Sequence, residues 1–146
     1  MPSIQISTVP LKTARRRAIA IQLTRWLSAH GVPPAHVIVQ FTEIAPGTVF
    51  SGGLPLDALP GWRDGRCHAV VTCSIDPGRD QEFRTGLAAE LARVLGPAQE
   101  SVFLYIEFRL TPPGQVYLAG SSGPRRADEL AITISQERRQ CQQRQT

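Results

Sequence analysis

Polar and apolar residues alternate over SIQIS at 3–7, where Ile4 and Ile6 carry the period-two mark of a strand. The period then lengthens. Within residues 12–29, Ala18, Ile19, Leu23, Trp26 and Leu27 recur at helical spacing, and the Gly and Pro residues of HGVPP at 30–34 end that helix. HVIVQFTEIA at 36–45 is rich in β-branched residues and reads as a second strand. Together these segments form one β-α-β unit, whose crossover length calls for parallel pairing.

After a Gly/Pro-rich connection at 46–66, the same order returns. HAVVTCSI at 68–75 predicts a strand, and residues 78–95 set Phe83, Leu87, Leu91, Val94 and Leu95 on one helical stripe. Asp76 and Pro77 stand where an N-cap and a first-turn proline would open that helix. SVFLYIEFRL at 101–110 predicts the fourth long strand. TPPG at 111–114 then turns the chain, and QVYLAG at 115–120 offers a short edge strand.

The two halves superpose by eye. Pro2 to Lys12 spans ten positions and so does Ala69 to Arg79, with Pro10 and Pro77 each two residues before the cation. HVIVQFTEI faces SVFLYIEFR in the same way. A unit this small cannot bury its sheet alone, so the chain is read as two fused copies, residues 2–45 and 68–110. The predicted fold is α+β, β-α-β-β-α-β, with a four-stranded sheet and two helices on one face. Ile, Val, Phe and Leu occur on both sides of the predicted strands, so the other face is expected to be apolar and covered by further copies. One domain spans 1–127, and a polar Arg/Gln-rich tail spans 128–146.

Composition narrows the class. The 146 residues are 42% hydrophobic and 19% charged, as in globular domains, and no apolar run approaches the roughly 18–20 residues of a membrane span. MPSIQIS lacks the basic and long apolar regions of a signal peptide, which makes a cytoplasmic location the expectation. Cys67, Cys73 and Cys141 are an odd set without CxxC spacing, so neither a disulfide framework nor a metal site is expected. The net charge of +4 and the pI near 9.5 come largely from ARRR at 14–17 and from the tail. No recognition motif or aromatic interleaving accompanies that charge, which speaks against a nucleic-acid partner.

Met1-Pro2, the segment FTEIAPGTVFSGG at 41–53 and the duplicated layout resemble the tautomerase superfamily, over roughly residues 2–120. Two fused units of this length are similar to the macrophage migration inhibitory factor and cis-3-chloroacrylic acid dehalogenase groups. The resemblance implies a cofactor-independent enzyme, a homotrimer with sites at subunit interfaces, and an N-terminal proline as the reagent. Removal of Met1 would leave Pro2 as a secondary amine on a strand end. Burial and neighbouring cations would lower its pKa, which lets it act as a general base near neutrality. In some relatives such a proline stays protonated and acts as an acid.

Substrates of that family are small keto, enol or unsaturated carboxylates. Arg79, following a turn before the second helix, is the candidate carboxylate anchor, because a guanidinium binds a carboxylate with two parallel hydrogen bonds. Lys12 holds the matching place in the first half. Tyr105 matches a tyrosine that assists water in the dehalogenase group, and His30 lies near a histidine of that group. His36 and Gln40 are further possible wall residues. The departures are Val32 for a lysine, Ile38 and Asp76 for arginines, Phe103 for a tyrosine and Gln115 for a glutamate. These residues leave three readings: a tautomerase or isomerase of a small keto-enol carboxylate, a hydratase, dehalogenase or decarboxylase of 3-substituted acrylate-like acids, and a non-catalytic trimeric binding protein.

Overall fold

The computed structural model describes residues 1–63, 68–96 and 103–130, with Gln140 and Gln143. Cys67, Cys141, the predicted strand start at 101–102 and most of the expected tail lie outside the described residues. In chain order the elements are β1 (Ser3–Thr8), α1 (Thr13–Ala29), a 3-10 turn (Pro34–His36), β2 (Ile38–Glu43), β3 (Phe50–Ser51) and β4 (Leu54–Pro55). The second half continues with β5 (Ala69–Ile75), α2 (Gln81–Leu95), β6 (Leu104–Leu110), β7 (Tyr117–Gly120) and β8 (Gly123–Arg126).

The four long strands form one sheet in the order β2-β1-β5-β6. β1 and β2 are parallel, β5 and β6 are parallel, and the two units meet through the antiparallel β1-β5 pair. Ser3 lies opposite Ile38 and Ala69 opposite Leu104, a separation of 35 residues in both halves. Ile44 N–H donates to the Thr8 carbonyl and Thr111 N–H to that of Ile75, each at 2.8 Å, so equivalent bonds recur 67 residues apart. The duplication is therefore structural as well as sequential.

Equivalence shifts by one residue at the helices. Ile19, Leu23 and Leu27 of α1 match Leu87, Leu91 and Leu95 of α2, 68 positions on, and all six are buried. With them pack Ile4 and Ile6 of β1 and Val71, Cys73 and Ile75 of β5, forming one core between the sheet and the two helices. Burial pushes the Cys73 thiol up to about 12, so it packs as an inert small hydrophobe.

Two local expectations change. Asp80, not Asp76, caps α2, its side chain accepting from the Phe83 N–H at 2.9 Å. Asp76 instead closes its own turn by accepting from Gly78 N–H at 2.7 Å. QVYLAG does not join the main sheet, since β7 pairs with β8 in a separate hairpin, as β3 does with β4. PGQVYLAG at 113–120 repeats PGTVFSGG at 46–53, so each half carries the same hairpin arm.

The sheet face away from the helices is mostly polar rather than apolar. Burial of Ile4, Ile6, Val71 and Cys73 fixes the helix side, and period-two alternation turns Gln5, Ser7, Thr72 and Ser74 outward. Register carries Gln40, Thr42, Glu107 and Arg109 to the same outer face, where Ile38, Val70 and Tyr105 are the apolar exceptions. Counting apolar residues without fixing their parity gave the wrong character to this face.

Leu91 is fully buried between α2 and the sheet. Leu91→Ala should destabilise the fold by about 2–5 kcal/mol, read from the urea midpoint at unchanged slope.

Candidate active site

The antiparallel β1-β5 pair sets the start of β1 beside the end of β5, with Ser3 opposite Ser74. Pro2 is buried at that start, and its carbonyl accepts from Ile38 N–H at 3.3 Å, which ties it to β2. A cavity of about 380 Å³ opens there, within the size range of a small-ligand site. Met1 and Pro2 line it together with His36, Asp76 and Arg79 of the β5-α2 turn, Pro113 and Asp128, and Val32, Ile75 and Phe83 supply apolar surface.

Arg79 is held in place by its neighbours. Its backbone N–H donates to the Asp76 carbonyl at 3.1 Å, and a guanidinium N–H donates to the His30 carbonyl at 3.0 Å. The guanidinium also lies over the Phe83 ring, 4.6 Å from its centroid, a cation-π contact. Among the described residues no carboxylate pairs with it, so the remaining N–H groups are free for an anion.

The His30 carbonyl reaches Arg79 because α1 ends sharply. His30 and Gly31 donate back to Leu27 and Ser28, and Gly31 takes φ +85, the left-handed conformation that favours glycine after a helix. The His30 ring points elsewhere. Its Nδ1–H donates to the Trp26 carbonyl at 2.7 Å and its face stacks on Trp26 at 3.7 Å. Trp26 in turn lies against Gly86, where a Cβ would come 3.0 Å from the indole. The His30 side chain therefore lines a separate groove behind Arg79 and Phe83, and serves the cavity through its backbone.

Burial lowers the pKa of the Met1 amine, which lines the cavity next to Pro2, below its ordinary 8.0; the Asp76 carboxylate pulls it partly back and the Arg79 guanidinium pushes it further down. His36 is likewise lowered, first by burial and then by the positive N-terminus nearby. The cavity thus combines the Met1 amine with Pro2 beside it, an imidazole biased toward its neutral form, one unpaired guanidinium and two carboxylates. Such a set can anchor an anion and move a proton.

Of the candidates read from the sequence, Pro2 and Arg79 meet in this cavity and His36 joins them. Lys12 does not; it is exposed at the N-cap of α1, past the far end of β1. Tyr105 also stands apart. It faces outward on β6 opposite Val70, toward the other end of the sheet, and is 51% exposed. Asp128 and Pro113 were missed because both follow the fourth long strand; the repeated PGxV segment was the available signal that this region belongs to the second unit.

No protein-family model matches the chain, and no curated protein does. Solved structures do. The native fused 4-OT is 20% identical with a TM-score of 0.63, covering 88% of this chain and 98% of that one. Pt0534 inactivated by 2-oxo-3-pentynoate is 17% identical with a TM-score of 0.66, covering 88% and 98%. N1, a member of the cis-3-chloroacrylic acid dehalogenase family, is 21% identical with a TM-score of 0.63, covering 91% and 90%. Through nearly its whole length, the chain has the fold of these three structures.

Proposed function

We propose that the chain is a cofactor-independent tautomerase of a small keto-enol carboxylate, with Pro2 as its proton-transfer group once Met1 is removed. The observation that carries this reading is the meeting of Pro2 and unpaired Arg79 in one cavity. Arg79 grips the substrate carboxylate with its free edge, and Phe83 and the His30 carbonyl keep the guanidinium oriented while it does so. That fixes the adjacent carbon over the proline nitrogen. The neutral amine takes a proton from one position of the enol-keto system and returns it at the other, so no net charge or atom is gained.

The hydratase, dehalogenase and decarboxylase reading requires a protonated proline at neutral pH. Burial favours the neutral form of the Met1 amine, and an amine on the still more buried Pro2 would meet the same desolvation penalty, which supports the tautomerase. The working unit is proposed to be a homotrimer, in which Tyr105 and Lys12 reach the site of a neighbouring copy. Support for an assembly comes from the fused 4-OT structures of the same fold, which are described as trimers.

Intact mass should show a chain that begins at Pro2. Pro2→Ala should then cut enol-keto exchange of phenylpyruvate by about 10²–10⁴-fold, the usual contribution of a positioned acid-base group. Near-wild-type exchange by that variant would refute the assignment.

The pH profile tests the electrostatics. Exchange should rise with pH as the Pro2 amine loses its proton, with the midpoint lowered by the burial that already lowers the Met1 amine at this place. Asp76→Asn removes a carboxylate that stabilises the ammonium, so the rising limb should move to lower pH. Arg79→Gln removes a repelling cation and should move it to higher pH, while raising KM by about 10–100-fold through loss of charge-assisted hydrogen bonds.

Sedimentation should give a particle of three 16.0 kDa chains. Within that particle Tyr105→Phe should lower kcat and leave the assembly intact. A monomer of full activity would remove both the trimer and the role of Tyr105.

A further inference from the structure

With no carboxylate paired to it among the described residues, the Arg79 guanidinium takes its direction from the groups it rests on. The His30 carbonyl accepts from it at 3.0 Å, and the Phe83 ring lies under it, 4.6 Å from Cζ to the centroid. Both supports are braced by one side chain, Trp26. The half-buried indole stacks on the His30 ring, with centroids 3.7 Å apart and planes 23° from parallel, and meets the Phe83 ring at 5.4 Å and 56°. His30 closes the triangle, standing edge-on to Phe83 at 6.0 Å and 79°. The Trp26 carbonyl also accepts from His30 Nδ1–H at 2.7 Å, so the ring of His30 is tied to α1 twice. Ring pairs hold preferred geometries, and a shift of the indole is therefore passed to both groups that carry Arg79.

Gly86 makes room for the indole. It lies inside α2, one turn after Phe83, where glycine is a poorer helix former than alanine. A Cβ there would stand 3.0 Å from Cζ2 and 3.6 Å from Cη2 of Trp26, so the indole would have to give by a few tenths of an ångström. Neither Trp26 nor Gly86 lines the cavity that holds Pro2; both line the groove behind Arg79.

We propose that Trp26, seated over Gly86, is a positioning residue for Arg79, and that this pair sets the preference of the cavity for a carboxylate over a neutral ligand of the same shape. The inference rests on the anion-binding reading of Arg79 given above. His30 and Phe83 hold the guanidinium directly, whereas Trp26 and Gly86 act only through them. A carboxylate held by two parallel N–H···O bonds is sensitive to a small rotation of the guanidinium plane. A neutral amide of the same shape, bound mainly by its apolar body, is not.

The probes are phenylacetate and phenylacetamide, titrated by NMR into Met1-free protein. Wild type should prefer the acid by about tenfold or more, the worth of a charge-assisted hydrogen bond. Gly86→Ala should cut that preference to about threefold while leaving the amide affinity and the fold unchanged, since alanine itself favours the helix. Trp26→Phe, which removes the atoms that a Cβ at 86 would meet, should cut it by a similar factor. In the double variant the two losses should not multiply, and the preference should stay within about twofold of Trp26→Phe alone. A wild-type preference in either single variant, equal weakening of acid and amide, or losses that multiply overturns the inference. Should Gly86→Ala fail to fold, Trp26→Phe alone decides by the same ratio. Arg79→Gln and phenylpyruvate exchange separate the failures. A preference that survives Arg79→Gln, or no binding of the acid to wild type, sinks the anion-binding reading and the inference with it. Loss of preference in Arg79→Gln but not in Gly86→Ala and Trp26→Phe sinks the inference alone, and the expected ratios without exchange sink only the tautomerase.

Discussion

The antiparallel pairing of β1 with β5 is the constraint on which the rest depends. Each half is a parallel β-α-β unit, and a parallel unit by itself keeps the start of one strand far from the end of its crossover partner. Joining two such units head to tail through Ile4 opposite Cys73 and Ile6 opposite Val71 puts the chain's first residues beside the β5-α2 turn. All four of those side chains are buried. A slip of one residue would turn that whole row out of the core, so the register that stabilises the molecule is also the register that aligns Pro2 with Arg79.

A duplicated chain should have two such corners, and the second one is filled. The residue equivalent to Met1 is His68, one position before Ala69 and fully buried. Its Nδ1 accepts from Phe103 N–H at 2.8 Å, its Nε2–H donates to the Pro60 carbonyl at 3.1 Å, and Trp62 stacks against it. Both ring nitrogens are spent on backbone, which fixes one neutral tautomer and makes the imidazole a structural plug. At this second corner the backbone passes through from the preceding connection, and the imidazole takes up the space.

The strands, helices and duplication were legible because each rests on a local period or on repetition. Pro2 and Arg79 were each legible as candidates, Arg79 as the second-half match of Lys12, but their meeting follows from the antiparallel β1-β5 pairing, which no local period encodes. The one-residue shift between strand and helix equivalence was not legible, and it has consequences. By helix register Lys12 matches Asp80, both N-caps, so Arg79 precedes the cap and is free to turn toward His30. The site's acidic side was illegible for another reason. Asp128 reaches the cavity by way of β6, a 3-10 turn at Pro113–Gln115 and the β7-β8 hairpin, and no spacing rule predicts where a chain returns after three such changes of direction.

The polar outer face alters what an assembly would have to use. A sheet face of Ser, Thr and Gln offers little area for apolar burial, so association across it alone would be weakly driven. Four of the exposed large hydrophobic side chains are related by the duplication. Ile38 and Tyr105 are equivalent positions on the outer face, at 53% and 51% exposure, and Phe50 and Tyr117 are equivalent positions on the two hairpin arms, at 59% and 60%. Two internal copies that each expose a pair of large residues, Ile38 with Phe50 and Tyr105 with Tyr117, present two related patches on one chain. Such patches suit a closed ring, in which every chain meets both neighbours through related surfaces. In such a ring the polar centre would add register through hydrogen bonds, and the edges would supply the hydrophobic drive.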